Sequence, residues 1–333
     1  SWYMDRGPIY LAGIERSGTS LMYALLASHP NIAMTRRTNL WTYFNNRYGD
    51  LRNAENLQRC LSIMSQYKRL RAIQIDTERV RREFYQGEKT YARLFALIEG
   101  HFAEKQGKPR WGDKSLNTER YMDDIFAVFP NAKIIHMMRD PRDRYASAKT
   151  RWTEMKGRVG AGTAMWLESV KLARRGQRKY PGQYMVVRYE DLVAEPEQML
   201  RKICEFLGEQ FVPEMLSMMG APTHRNKGSN SSYGKREVGK ISTDSIARYR
   251  QVLSTQEIKY MQDFCKSGMR EFGYALDDIQ LAARDWLSYL FVDWPFNFAR
   301  MCFWTAKETF WTIKGRTLPT RRLVPSKNPV QAS

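Results

Sequence analysis

Two short stretches of this 333-residue sequence carry residues suited to holding anions. The first, GIERSGTS (13–20), keeps Gly13 and Gly18 at the spacing of a Walker A loop and puts Ser20 where that motif has its Mg²⁺-binding hydroxyl. Thr19 stands where the motif's lysine belongs, and Arg16 sits inside the loop instead. Glycines allow the tight turn, and the helix that follows offers unpaired N–H groups to an anion. Ser17, Thr19 and Ser20 add hydroxyl donors, and Arg16 adds a permanently charged fork. Triphosphate hydrolysis needs the lysine and an acid holding the metal; the lysine is absent, and Asp140 reads as a helix N-cap. The loop predicts oxyanion binding without that metal machinery, although a Gly-rich turn standing alone is as readily structural.

The second stretch, RDPRDRYAS, places Arg139 at the end of an apolar run and Ser147 about two turns into the next helix. Ligands of open α/β sheets bind beyond the carboxyl ends of the strands, so Arg139 and Ser147 can grip one phosphate. An Arg–Asp surface network is the competing reading of this segment alone. Two anion sites at two strand ends imply a ligand with two separated anionic groups.

Elements must exist to position these residues. IYLAG (9–13) predicts a strand and Thr19 to about Ser28 a helix; an Arg-rich helical region fills roughly 50–106. Residues 109–115 predict a short strand, TERYMDDIFAVF a helix, and AKIIHMMRD (132–140) a strand buried on both faces. Asp140 and Pro141 then start a helix. Further helices are predicted over 163–179, 195–208 and 255–274, a strand over 184–192, and a long loop over 220–243. The alternation predicts an α/β, P-loop-like three-layer fold, a mostly parallel sheet flanked by helices.

Hydrophobic residues at 43% and charged residues at 27% describe an ordinary globular chain, and no apolar run is long enough to cross a membrane. The formal charge of +19 attracts anionic substrates, lipid surfaces or polyanions without choosing among them. Cys60, Cys204, Cys265 and Cys302 have no metal-ligand spacing and read as structural thiols. The sequence starts at Ser1. The expected location is cytoplasmic or membrane-peripheral, or the Golgi lumen if an anchor precedes it.

The paired motifs resemble the PAPS-dependent sulfotransferase superfamily, RSGTS with SHPNI its 5′-phosphosulfate loop and RDPRDRYAS its 3′-phosphate motif. The likeness extends through WGDKS, FPNAKIIHMMRDPRD, VVRYEDLVAEPEQMLRKICEFLG and MREFGY, most of residues 9–274. It implies 3′-phosphoadenosine 5′-phosphosulfate (PAPS) as sulfuryl donor and no metal. Arg16, Ser17, Gly18, Thr19 and Ser20 would hold the 5′-phosphosulfate, and Arg139 and Ser147 the 3′-phosphate. GKISTDSIARYR resembles the segment that folds over the donor, with Lys240 and Ser242 as contacts; a plain helix N-cap is the other reading of Ser242. Lys114 in WGDKS resembles the lysine that tyrosylprotein sulfotransferases direct at the sulfuryl oxygens.

Those relatives carry a glutamate base shortly after the HP segment, where this chain has Arg37. Asp113 is the nearest acid by motif, with a structural, lysine-paired Asp as the competing reading. Arg36 and Arg37, if their loop faces the acceptor, favour an anionic one: a uronic-acid or sulfated glycan, a glycolipid or another acidic headgroup. Residues 1–280 are expected to form the sulfotransferase domain and 281–333 an aromatic and basic extension. Within it, 286–316 suits peripheral membrane contact, packing on its own core or on a partner subunit of a homo-oligomer, or an acceptor-binding platform. The expected acceptor is a carbohydrate or glycolipid. A tyrosylprotein acceptor, a P-loop kinase or NTPase, and a non-catalytic polyanion binder are the alternatives, and no specific nucleic-acid-reading module is visible.

Overall fold

The computed structural model describes residues 6–152, 158–221 and 240–324. Five strands, β1 (Ile9–Ala12), β2 (Ile32–Arg36), β3 (Arg110–Lys114), β4 (Lys133–Met138) and β5 (Tyr184–Arg188), form one sheet in the order β2-β3-β1-β4-β5. Every neighbouring pair is parallel, as expected for short apolar runs buried on both faces. The order reverses beside β1: the chain first builds outward through β2 and β3, then crosses to β4. Such a switch point leaves a crevice at the carboxyl ends of β1 and β4, and β3 borders it on the other side. The three strands that carry the 13–18 loop, Arg139 and Lys114 are therefore adjacent.

The helices that matter here are α1 (Thr19–Ala27), α2 (Ala54–Gln66), α3 (Thr77–Phe84), α4 (Tyr91–Lys105), α5 (Met122–Val128), α6 (Pro141–Arg151), α7 (Arg158–Lys179), α8 (Pro196–Leu207), α9 (Thr255–Glu271) and α10 (Trp294–Lys314). One core lies between the sheet and α2–α5, the other between the sheet, α1 and α8. Asp140 caps α6 by accepting from Arg142 N–H at 2.9 Å, with Pro141 in the first turn. Ser254 and Glu257 form a capping box on α9.

Three features depart from the sequence reading. The strand expected over 184–192 stops at Arg188, and Tyr189–Ala194 form a short helix. Arg36 was expected in a loop; it ends strand β2, paired in register with Lys114 of β3. A run as short as IAMTR has no periodicity of its own, and pairing with β3 decides it. The aromatic extension, for which no element was predicted, forms a short helix (Ala283–Ser288), a turn of π-helix (Tyr289–Asp293) and α10. Trp304 packs among Ala161 and Ala164 of α7, and Asn297 Oδ1 accepts from Gly160 N–H at 3.2 Å. A Cβ at Gly160 would lie 2.2 Å from the Asn297 carbonyl oxygen, so only glycine permits this approach. The chain then returns to the main body, where Val324 N–H donates to the Gln66 carbonyl at 2.7 Å and Leu323 bridges Tyr67.

Beneath the sheet edge, Thr35 Oγ1 of β2 lies 2.9 and 2.8 Å from the two carboxyl oxygens of Glu99 (α4) and 3.0 Å from Asp113 Oδ1. One hydroxyl proton cannot serve both acids. Burial, and then the charge of Asp113, raises the Glu99 carboxyl well above its usual range. Glu99 therefore stays protonated and donates to Thr35, which donates to Asp113. A raised carboxyl contributes its stability below the unfolded value of 4.5 and loses it as pH rises. Asp113, raised to about 6, acts in the same sense above 3.8. Glu99→Gln keeps a donor to Thr35, so it should be near wild type in acid and increasingly more stable toward alkaline pH. Urea-unfolding midpoints across pH check this; a pH-independent difference would contradict the assigned proton.

Candidate active site

Gly13 and Gly18 take positive φ of 127° and 94°, and Arg16 between them also lies in the left-handed region at 65°. A Cβ on Gly18 would sit 2.5 Å from the Tyr189 ring, and one on Gly13 would sit 2.8 Å from the Met137 carbonyl oxygen. The loop is thus pressed onto β4 and Tyr189 in a way that requires both glycines. Gly18 caps α1 with no side-chain hydrogen bond, and the first turn of α1 holds no acid. The positive end of this helix therefore faces the crevice without a built-in counter-charge. Ser17 and Thr19 are buried there, and Ser20 is half-buried.

The second motif closes onto the first. Arg16 Nε donates to Ser147 Oγ of α6 at 2.8 Å, Arg139 Nη1 donates to the Arg16 carbonyl at 3.0 Å, and Arg144 Nη1 donates to the Glu15 carbonyl at 3.0 Å. Arg139 also lies over the Tyr189 ring at 4.6 Å and reaches the Ser245 carbonyl at 3.3 Å. Tyr189 and Ser245 share a hydroxyl contact of 2.8 Å. Buried Asp143 anchors the segment carrying Ser245, accepting from Ala247 N–H at 2.9 Å and Tyr249 N–H at 3.0 Å. Of the two residues expected to contact a donor from this segment, Lys240 is exposed and Ser242 Oγ accepts from Asp244 N–H at 3.1 Å. Arg144, Tyr189 and Ser245 were not singled out from sequence. All three lie inside stretches already quoted, but only contact distances assign them.

On the other flank Lys114 Nζ, at the end of β3, is 3.4 Å from Ser20 Oγ of α1. Burial first, and then the charges of Arg37, Arg36 and Arg69, lower the Lys114 ammonium to about 7 against the opposing pull of Asp113. Arg69 is the member of this basic group that sequence reading did not find; it is far along the chain, and the fold alone brings it near. Arg36 lies over the Tyr23 ring at 5.7 Å, and exposed Arg37 donates its N–H to the Lys114 carbonyl at 2.7 Å. Asp113 leaves the opposite face of β3, as strand alternation demands. It is 2% exposed and accepts from Thr38 Oγ1 at 2.8 Å, Ser115 Oγ at 2.9 Å and Thr35 Oγ1 at 3.0 Å.

The acid and histidines nearest these motifs in sequence are already committed, and His29 lies beyond the far end of α1, away from the crevice. Asp140 spends both oxygens on Arg142, at 3.0 and 2.7 Å. His29 Nδ1 accepts from Asn31 N–H at 3.0 Å, so its Nε2 carries the proton donated to the Gln210 carbonyl at 2.8 Å. His136 is buried between Tyr184 and Ser169 hydroxyls, and burial lowers its pKa, which keeps the ring neutral. Among the described residues no group of three or more His, Cys, Asp or Glu side chains stands together as a metal site.

These groups fit a doubly anionic donor such as PAPS. Arg139 Nε and Arg144 Nε and Nη2 are buried without hydrogen-bond partners. Burial first, with the charges of Arg139 and Arg16 acting in the same direction against the pull of Glu15, lowers Arg144 to about 10. Three guanidinium groups that repel one another around an uncapped helix end favour an anion between them.

The sequence profile of the Sulfotransferase family matches residues 8–213. A putative protein-tyrosine sulfotransferase of Caenorhabditis briggsae is 23% identical over 263 residues, 77% of this chain and 85% of that protein. Mouse carbohydrate sulfotransferase 2 is 36% identical over 94 residues, 28% of this chain and 17% of that protein. Mouse carbohydrate sulfotransferase 5 is 25% identical over 179 residues, 46% of this chain and 45% of that protein. The match thus spans less than half of either carbohydrate sulfotransferase. The sulfotransferase domain of the Synechococcus PCC 7002 olefin synthase has the same fold, with a TM-score of 0.54 at 21% identity over 81% of this chain and 95% of that one. A profile match running from β1 through α8, on a parallel sheet that joins two anion motifs at its switch point, shows that the chain belongs to the sulfotransferase family of PAPS-dependent transferases.

Proposed function

We propose that this sulfotransferase acts on a hydroxyl of an anionic carbohydrate acceptor, a glycan or glycolipid. The observation that carries the acceptor reading is the group of Arg36, Arg37 and Arg69 around Lys114, with Asp113 turned to the far face of the strand. A guanidinium cluster at the acceptor side matches carboxylate or sulfate substituents and selects against cationic acceptors. PAPS, when bound, supplies a sulfuryl group carried on a phosphate leaving group. Ser17, Thr19, Ser20 and the amino end of α1 would hold its 5′ side, and Arg139 and Ser147 its 3′-phosphate, with Arg16 spanning both. Lys114 is placed to stabilise charge on the departing oxygen. Asp113 acts as a positioning residue that fixes the end of β3. A protein-tyrosine acceptor is the second reading, favoured by the long alignment with the Caenorhabditis relative.

Thermal shift separates the donor classes. With 3′,5′-adenosine bisphosphate at about 100 times its Kd, apparent stability should rise by roughly 2.7 kcal/mol. A larger shift with ATP and Mg²⁺ would point to a kinase or NTPase. Ser147→Ala removes one charge-assisted bond and should weaken bisphosphate binding about tenfold or more.

Lys114 gives a pH test. Its folded value of about 7 lies below the ordinary 10.5, so burial opposes folding below about 7, and that cost is relieved as pH rises from about 7 to 10.5. An anion beside it binds best to the ammonium form. Bisphosphate affinity should therefore fall as pH rises through about 7 more steeply in wild type than in Lys114→Met. Parallel profiles for the two would remove Lys114 from the donor site.

Charge reversal of Arg36 and Arg37 should raise KM for a uronic-acid oligosaccharide about tenfold or more while leaving bisphosphate binding near wild type. A screen of such oligosaccharides, acidic glycolipids and tyrosine peptides with labelled PAPS tests the acceptor. Turnover of the tyrosine peptide alone would overturn the carbohydrate reading.

A further inference from the structure

Helix α10 has an inner face that packs on α7 and an outer face that no described residue covers. On the outer face Phe296, Ala299, Phe303, Ala306, Phe310 and Ile313 recur at alternating three- and four-residue steps, and all are exposed. Phe303 is 71% exposed, Phe310 52% and Ile313 83%. The preceding turn adds Phe291, at 74%. Contiguous apolar surface of this kind marks a partner rather than random exposure.

Charge identifies the partner. Lys307 and Lys314 each follow one residue after Ala306 and Ile313, so exposed cations border the apolar stripe, while Arg300 at the equivalent step is half-buried and donates to Asn297 Oδ1 at 3.2 Å. The one acid in the helix, Glu308, lies on the inner side, where it pairs with Arg316 and with Arg120 at 3.5 Å, its side chain 12% exposed. The outer face therefore combines aromatic rings and cations without a carboxylate. A second copy would bring the same cations with no acid to meet them, on a chain already carrying +19. An anionic lipid surface complements both halves of the face, taking rings at headgroup depth and cations on phosphates.

The helix cannot insert across a bilayer. Its 21 residues are about 31 Å long, enough in length. But no described helix is apolar enough to cross, and Asn297, Trp304 and Glu308 are engaged with the protein body. Only one face is open, so the geometry is that of a helix lying in the interface plane.

We infer that α10 docks the protein onto membranes rich in acidic phospholipid, with Phe296, Phe303 and Phe310 at the headgroup boundary and Lys307 and Lys314 on the lipid phosphates. Vesicle co-sedimentation of the full chain tests it. Binding is expected to equimolar phosphatidylcholine–phosphatidylserine vesicles, weaker in high salt, and about tenfold or more weaker to phosphatidylcholine alone. Two variants separate the contributions. Phe303→Ser with Phe310→Ser removes the rings, and Lys307→Glu with Lys314→Glu reverses the flank; each should lower acidic-vesicle binding about tenfold or more. All four side chains are exposed, so both variants should melt as wild type does. Undiminished vesicle binding by both variants overturns the inference. So does a chain that ignores vesicles, whether it stays monomeric or forms a dimer that the Phe303→Ser, Phe310→Ser pair dissociates; the dimer would assign the face to a second copy.

Discussion

Arg139 Nη1 donates to the Arg16 carbonyl while Arg16 Nε reaches Ser147, and through this pair of contacts two anion motifs far apart in sequence become one site. The contacts bring like charges together: Arg16, Arg139 and Arg144 converge where carboxylates would ordinarily neutralise them. What holds them is weaker and directional. Main-chain carbonyls of Glu15 and Arg16 accept from Arg144 and Arg139, and the Tyr189 ring lies under Arg139. The acids of the same motif are used as scaffolding, Asp140 on Arg142 and the helix cap, Asp143 on the backbone of the 247–249 turn. These two acids are thereby occupied within the scaffold.

The same separation of roles operates across β3. Lys114 and Asp113 are chain neighbours, yet strand alternation sends the lysine toward Ser20 and the aspartate into the core layer against Thr35, Thr38 and Ser115. Burial then acts oppositely on the two, lowering the ammonium and raising the carboxyl. Two residues that read as an ion pair in sequence end on opposite faces, one facing the crevice and the other fastening it from beneath.

The extension after Tyr274 adds structure to the family core in two ways. Its helix α10 is seated by Trp304 and by the close approach at Gly160, and the returning segment, a turn of 3-10 helix at Thr320–Arg322, places Arg322 on Tyr43, near the Arg69 cluster. Because the inner face is fully engaged, the aromatic outer face is left to whatever lies outside the chain.

Much of the site was legible in residue types. Glycines at 13 and 18, an arginine between them, and the Arg139–Ser147 spacing follow local rules of turns, helix ends and strand ends, which operate over a few residues. The apolar runs of β1, β4 and β5, the short strand at β3, and the cap at Asp140 were visible for the same reason. What sequence left open depends on contacts between distant segments. β2 is a strand because β3 lies beside it, Arg69 joins Lys114 because its short helix folds back over the sheet edge, and Ser245 meets Arg139 because Asp143 anchors its turn. Local chemistry determined the residue types and turns of the two motifs; tertiary packing decided which charges stand together, because the field around Lys114 is a sum over residues that only the fold makes neighbours.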